Sequence, residues 1–193
     1  MKALVISGGG SKGAFAGGVA QYLMQEKLHE YDLLLGTSTG SLLIPHLALG
    51  DVDKIYEIYT NVNMNNIFNI NPFHVNKRDG VDVVTINHFN VLWQFLKGKR
   101  TFGESNKLRS YIRKNFTLSE FNQLKASKTN IVVTVTNLSL NDVEYKCIRD
   151  FDYDEFCDWI WISCNLETRC KQQECKAELL LHPDTAHNQR PYF

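Results

Sequence analysis

The chain has 193 residues, 44% of them hydrophobic and 22% charged, which suits a single soluble globular domain with a sizeable core. Lys plus Arg and Asp plus Glu number 21 each, so the net charge is zero. That excludes bulk attraction to nucleic acid or to an anionic membrane: no nucleic-acid partner is expected, and any electrostatic contact with lipid must be local. No apolar run approaches the roughly 20 residues of a membrane span, so action on lipid is expected from the membrane surface.

Residues 3–7 form a short apolar, partly β-branched run, the pattern of a buried parallel strand. Gly8 to Gly13 breaks it. From Ala14 to Lys27 the residues Ala14, Phe15, Val19, Tyr22 and Leu23 fall at helical spacing. Residues 31–35 read as a second buried strand, broken by Gly36-Thr37-Ser38-Thr39-Gly40, and Ser41 to Leu49 reads as a helix with Pro45 inside it. The first 50 residues are thus strand, glycine turn, helix, twice over, the βαβα signature of an α/β fold with a mainly parallel sheet.

Asp51 to Asn61 predicts a helix with Val52, Ile55, Ile58 and Tyr59 on one face. Residues 61–80 are rich in Asn and aromatics without a clean period, and are expected to be loop with short helical pieces. Residues 88–97 predict a helix. Its Phe89, Trp93, Phe95 and Leu96 suit either core packing, the expected use, or a lipid-facing surface. Helices are also expected at Ser105 to Asn115, with Leu108, Tyr111 and Ile112 on one face, and briefly at 116–123. Residues 130–136 are the strongest strand in the chain, and 143–148 alternates and pairs with it after an Asn-Asp turn. Glu155 to Cys164 predicts a helix with Phe156, Trp159, Ile160 and Ser163 on one side. The segment 167–193 is polar and carries no strand signal. It is set apart as a divergent tail behind a domain of residues 1–166.

All five cysteines, Cys147, Cys157, Cys164, Cys170 and Cys175, lie in the last third. An odd number in a chain whose first apolar stretch is too short for a signal peptide reads as reduced thiols in the cytoplasm.

Two motifs carry chemistry. Gly36-x-Ser38-x-Gly40 sits between a strand and a helix, as a nucleophile elbow requires: the turn is tight, its neighbours must be small, and the helix points its positive end at the serine. A tight turn without chemistry uses the same residues. Gly8-Gly9-Gly10-Ser11-Lys12-Gly13 also follows a strand. Glycines leave N–H groups bare, and bare N–H groups at a helix start bind phosphate or the oxyanion of a tetrahedral intermediate. Gly8-x-Gly10-x-x-Gly13 also fits a dinucleotide fingerprint, but that needs an acid at the end of the second strand, and Asp32 lies at its start. Both loops stand at the carboxyl ends of adjacent parallel strands, hence at one rim, with a serine beside an anion-binding loop.

In this order, Val5-Ile6-Ser7-Gly8-Gly9-Gly10-Ser11-Lys12-Gly13 followed by Gly36-Thr37-Ser38-Thr39-Gly40 resembles the patatin-like phospholipase family. The likeness is close over residues 3–50 and looser to about Leu166, where Asp158-Trp159-Ile160-Trp161-Ile162-Ser163-Cys164 resembles the helix before the family's last motif. The resemblance implies a three-layer α/β fold with helices on both faces of the sheet, here with an incomplete C-terminal part. It implies hydrolysis of lipid acyl esters by a Ser–Asp dyad, with Ser38 as nucleophile, the Gly8–Gly13 loop as oxyanion hole, and no metal or organic cofactor.

The chain departs from that pattern at the base. The family's Asp-Gly motif should follow the Trp159–Cys164 helix, yet the only Asp-Gly is Asp79-Gly80, in the wrong chain order and otherwise a turn. Asp184 is the last acid. The general base is therefore unassigned, and a catalytically inactive relative that binds lipid or a partner is the second expectation. Ser38, Asp184 and His187 have the chain order of an α/β-hydrolase triad, but the elbow lies too near the N-terminus for that fold. Cys164, Cys170, Cys175, His182 and His187 contain no Cys-x-x-Cys pair and are read as free thiols and histidines, not as a zinc site.

Overall fold

The computed structural model describes residues 1–62, 67–69, 72–78, 80–97, 105–137 and 140–165. Six strands and seven helices follow one another along these residues. The strands are β1 (Ala3–Ile6), β2 (Leu33–Thr37), β3 (Phe73–Arg78), β4 (Val81–Ile86), β5 (Asn130–Asn137) and β6 (Asp142–Cys147). The helices are α1 (Gly13–Gln21), α2 (Thr39–Leu49), α3 (Val52–Asn61), α4 (His88–Leu96), α5 (Asn106–Asn115), α6 (Leu118–Lys125) and α7 (Tyr153–Cys164). The tail 167–193 lies outside the described residues, as do Asp79, Asp184, Cys170, Cys175, His182 and His187.

The expected α/β fold forms. The main sheet has the order β1-β2-β5-β6, with β1, β2 and β5 parallel and β6 antiparallel to β5. Register puts Leu4, Leu34 and Ile131 in one row and Ile6, Gly36 and Val133 in the next on the same face. That face is the core: Ile6, Leu34, Ile131 and Val133 pack with Leu43, Ile44 and Leu47 of α2 and with Phe156 and Ile160 of α7. On the other face Leu35 and Val132 are half-buried and Val5 is exposed.

Two sequence expectations are corrected, and the inward face of α1, which spacing left open, is made by small residues: Phe15 is 78% exposed and Val19 43%, whereas Gly13, Gly17 and Ala20 are buried. Small residues let α1 lie close on α2, since a Cβ on Gly17 would stand 3.1 Å from Leu43 Cδ2. The expected loop before Gly80 contains a strand: β3 and β4 pair antiparallel, Phe73 opposite Ile86 and Val75 opposite Val84, with Gly80 just before β4 at φ 80°. Finally, core packing is overturned for Phe89, Trp93 and Leu96 of α4, which lie at the surface; the Phe95 side chain lies outside the described ones.

Helix ends follow local rules. Thr117 with Glu120, and Asp152 with Glu155, form capping boxes that start α6 and α7. Gly50 ends α2 in the left-handed region. Arg109 binds Asp158 through two nitrogens and Arg113 adds a 2.7 Å bond to the same carboxylate, tying α5 to α7.

His46 of α2 is buried edge-on to Phe116, and its Nδ1 is the one buried side-chain polar atom without a partner among the described residues. Burial, then the charge of Lys54, pushes its pKa down from 6.5 to about 4, against smaller opposing effects of Glu120 and Asp51. The unfolded chain therefore takes up a proton below about pH 6.5 that the folded chain refuses until about pH 4. Stability should fall by about 2 kcal/mol from this group between pH 7 and 4.5. Urea melts of the wild type and of His46→Leu test this: the variant should lose that part of the slope, and an unchanged slope would refute it.

Candidate active site

The site is built from the carboxyl ends of β1 and β2 and the N-terminus of α2. After β2 the chain turns into α2 within one residue, and Ser38 absorbs the turn at φ 53°, ψ −122°, a conformation that costs a non-glycine residue of order 1–3 kcal/mol. The flanking glycines are required by contact rather than by conformation. A Cβ on Gly36 would lie 2.5 Å from Gly40 O, and one on Gly40 would lie 2.2 Å from Ile6 O. The elbow thus sits directly on the end of β1.

The glycine loop comes to meet it. A Cβ on Gly8 would be 2.8 Å from Ser38 Cβ, and one on Gly13 would be 2.9 Å from Thr39 Cβ. Gly9 N–H donates to Thr39 Oγ1 at 3.2 Å, joining the loops. Gly10, at φ 56°, turns the chain into a single 3₁₀ turn, Gly10–Lys12, which runs into α1. The first N–H groups of such a turn have no partner within it. Gly8, Gly9, Gly10, Ser11 and Lys12 are exposed, so this backbone faces solvent beside Ser38.

Two residues at the end of α7 complete the elbow. Ser38 N–H donates to Ser163 Oγ at 2.8 Å, and Ser163 Oγ–H donates to Thr134 O at 2.8 Å. The carbonyl of Ser38 accepts from Ser41 Oγ at 2.5 Å, from Ser41 N–H at 2.8 Å and from Cys164 Sγ at 3.3 Å. Burial pushes the Cys164 thiol up to about 12, against a smaller effect of Ser41, so it stays a neutral donor. Thr37 Oγ1 meets Thr134 Oγ1, and from α3 Tyr59 OH reaches Thr39 O at 3.3 Å. Burial, and then the nearby Cys164, raises the Tyr59 phenol further above its usual value, keeping it protonated.

Both peptide groups of Ser38 are therefore engaged, and its N–H cannot serve as an oxyanion donor. Gly9 N–H is taken by Thr39 Oγ1 and Lys12 N–H by Gly9 O, so the backbone donors left beside Ser38 include those of Gly10 and Ser11 and the start of α2. Ser38 Oγ itself has no hydrogen-bond partner among the described residues. Asp158, in the same helix as Ser163, is not a free base: burial raises its pKa, but bonds from Arg109 and Arg113 outweigh this and hold it below the usual carboxylate range. Asp32 donates nothing to the site, because its carboxylate accepts from Lys2 N–H at 2.6 Å at the opposite end of the strand, which removes the support for a dinucleotide site. No group of three or more His, Cys, Asp or Glu among the described residues is arranged to hold a metal.

Sequence reading singled out Gly8 to Gly13, Gly36, Thr37, Ser38, Thr39 and Gly40, and the structure brings these together. It missed the role of Ser163 and Cys164, whose contacts to Ser38 span 125 and 126 residues of chain and leave no local signal.

A family model described as patatin-like phospholipase matches residues 4–174. An uncharacterized protein of Acanthamoeba polyphaga mimivirus is 46% identical over 56 residues, 27% of this chain and 15% of that protein. The matched segment is thus a small part of that relative's length. No solved structure matches.

Proposed function

The chain belongs to the patatin-like phospholipase family, a family of lipid acyl hydrolases, and from that premise we propose that it hydrolyses a lipid acyl ester through Ser38. The observation that carries the proposal is the closeness of Gly8 to Ser38, a strained serine against an exposed glycine backbone. In this reaction Ser38 Oγ bonds to the carbonyl carbon while its proton passes to a carboxylate. The carbonyl oxygen becomes an oxyanion held by the N–H groups of Gly10 and Ser11, since Gly9 N–H is bonded to Thr39 and Lys12 N–H to Gly9 O, each free donor contributing about 3 kcal/mol to the transition state. The alcohol leaves with a proton, and water then releases the fatty acid and restores Ser38. For the carboxylate the sequence offers Asp79 and Asp184. The chemistry calls on no cofactor. Among the described residues Cys147, Cys157 and Cys164 are free thiols, which supports a reducing, cytoplasmic setting, and no described helix is long and apolar enough to cross a membrane.

A second reading, a relative without activity that binds lipid or a partner, is favoured by the missing Asp-Gly motif and by the unpartnered Ser38 Oγ. A fluorophosphonate probe separates the two. Under the first reading the wild type is labelled and Ser38→Ala is not. If the folded wild type stays unlabelled, the hydrolase reading is wrong for this chain and the second one stands.

A further inference from the structure

Helix α4 has its apolar stripe turned outward. Phe89, Leu92, Trp93 and Leu96 follow the i, i+3, i+4, i+7 spacing of a single helix face, and they are 75%, 59%, 48% and 73% exposed. Such a stripe normally seats a helix in its core. Here the helix is held from elsewhere: Asn87 N–H donates to Pro72 O at 2.7 Å, Asn87 Oδ1 caps Asn90 N–H at 3.1 Å, and Val91 is half-buried on the other side. The exposed aromatics lie side by side, with Phe89 and Trp93 stacked 6.5 Å apart at 9° and the Lys97 ammonium 5.2 Å from the Trp93 ring. Before α4, the β3–β4 hairpin exposes the cross-strand pair Val75 and Val84 together with Ile86.

The charge around the stripe is one-sided. The chain is neutral overall, yet from Val83 through Gly103 the sequence has no acid, while Lys97, Lys99 and Arg100 follow the stripe. An apolar face of Phe, Trp and Leu with the Lys97 ammonium over its Trp93 ring suits the headgroup region of an anionic bilayer: rings and Leu side chains enter the acyl boundary and the ammonium meets lipid phosphate.

We propose that the outward face of α4, with Lys97 at its rim, docks this chain onto anionic lipid membranes. The inference rests on the exposure and charge of α4 and not on Ser38, so the Ser38→Ala chain should dock as well as the wild type.

The test is flotation with phosphatidylcholine vesicles with and without phosphatidylglycerol, together with gel filtration. The wild type should float with the phosphatidylglycerol vesicles and be released by salt. The double variant Phe89→Ser, Leu96→Ser, changed only at exposed positions, should keep its melting temperature and partition at least ~10-fold less. Lys97→Glu, with the stripe intact, should lose preference for the anionic vesicles. Wild type that fails to float with them, or a double variant that floats equally well, overturns the proposal. So does a wild-type dimer that the double variant abolishes without any flotation, which would assign the stripe to a second copy.

Discussion

Gly40→Ala is expected to destabilise the fold by about 3 kcal/mol, measured by urea unfolding, the high end for overpacking at one site. The added methyl would sit 2.2 Å from Ile6 O and 2.9 Å from Ile6 C, both backbone atoms of β1. A side chain can rotate away from such a clash, but a strand cannot. Ile6 is fixed in register against Gly36 of β2, which is in turn in register with Val133 of β5. Relief therefore means separating β1 from the elbow, which also draws the Gly8–Gly13 loop away from Ser38. Gly18→Ala is the control. Gly18 lies in α1 with nothing within 4 Å of its Cβ position, so alanine should raise stability by roughly 0.5–1 kcal/mol. Opposite signs for the same substitution are the content of the prediction, and a Gly40→Ala chain as stable as the wild type would refute the packing of elbow on strand.

The same contacts explain what was legible in the sequence. The elbow and the glycine loop could be read because close backbone approach leaves only glycine, so Gly8, Gly36 and Gly40 record tertiary structure at single positions. Residues 130–136 and the Glu155 to Cys164 helix could be read because β-branched density and apolar residues at helical spacing are local signals; the Asp152 capping box that starts this helix at Tyr153 was not read. The second strand was placed two residues early, since Gly36 and Thr37 do not look like strand; they pair with Val133 and Thr134 because α2 lies on them. In β3 only Phe73 and Val75 are apolar, and most of the strand is exposed, so it has no buried alternation to show; only the Asp-Gly turn marked it. The inward face of α1 has no apolar signal in the sequence, because its close contact with α2 is made by the small residues Gly13, Gly17 and Ala20. For α4 periodicity was correct, but periodicity does not tell whether the partner of a stripe is the core of the same molecule or something outside it.

Ser163→Ala is expected to slow reaction of Ser38 with the fluorophosphonate probe by about 100-fold, the scale of a misplacement near 1 Å in a reacting group. Ser163 stands between Ser38 N–H and Thr134 O and passes one hydrogen bond to each side. It touches no reacting atom and is a positioning residue. Without it the Ser38 N–H has no acceptor, at a cost of about 1–3 kcal/mol for an unpaired buried donor. The elbow, already at positive φ, has a downhill route: rotate its peptide until that N–H finds a partner. Any such rotation moves Oγ relative to the Gly8–Lys12 donors. Loss of stability alone does not identify this role, so the distinguishing readouts are kinetic. With a soluble ester as substrate, kcat should fall while KM changes little, because the Ser163 hydroxyl bonds Ser38 N–H and Thr134 O and not the glycine loop proposed to hold the substrate. Ser163→Thr, which keeps the hydroxyl, should recover most of the rate. If Ser163→Ala is destabilised but reacts with the probe at the wild-type rate, Ser163 serves only packing, and the geometry of Ser38 is set by Gly36, Gly40 and the carbonyl contacts of Ser41 and Cys164.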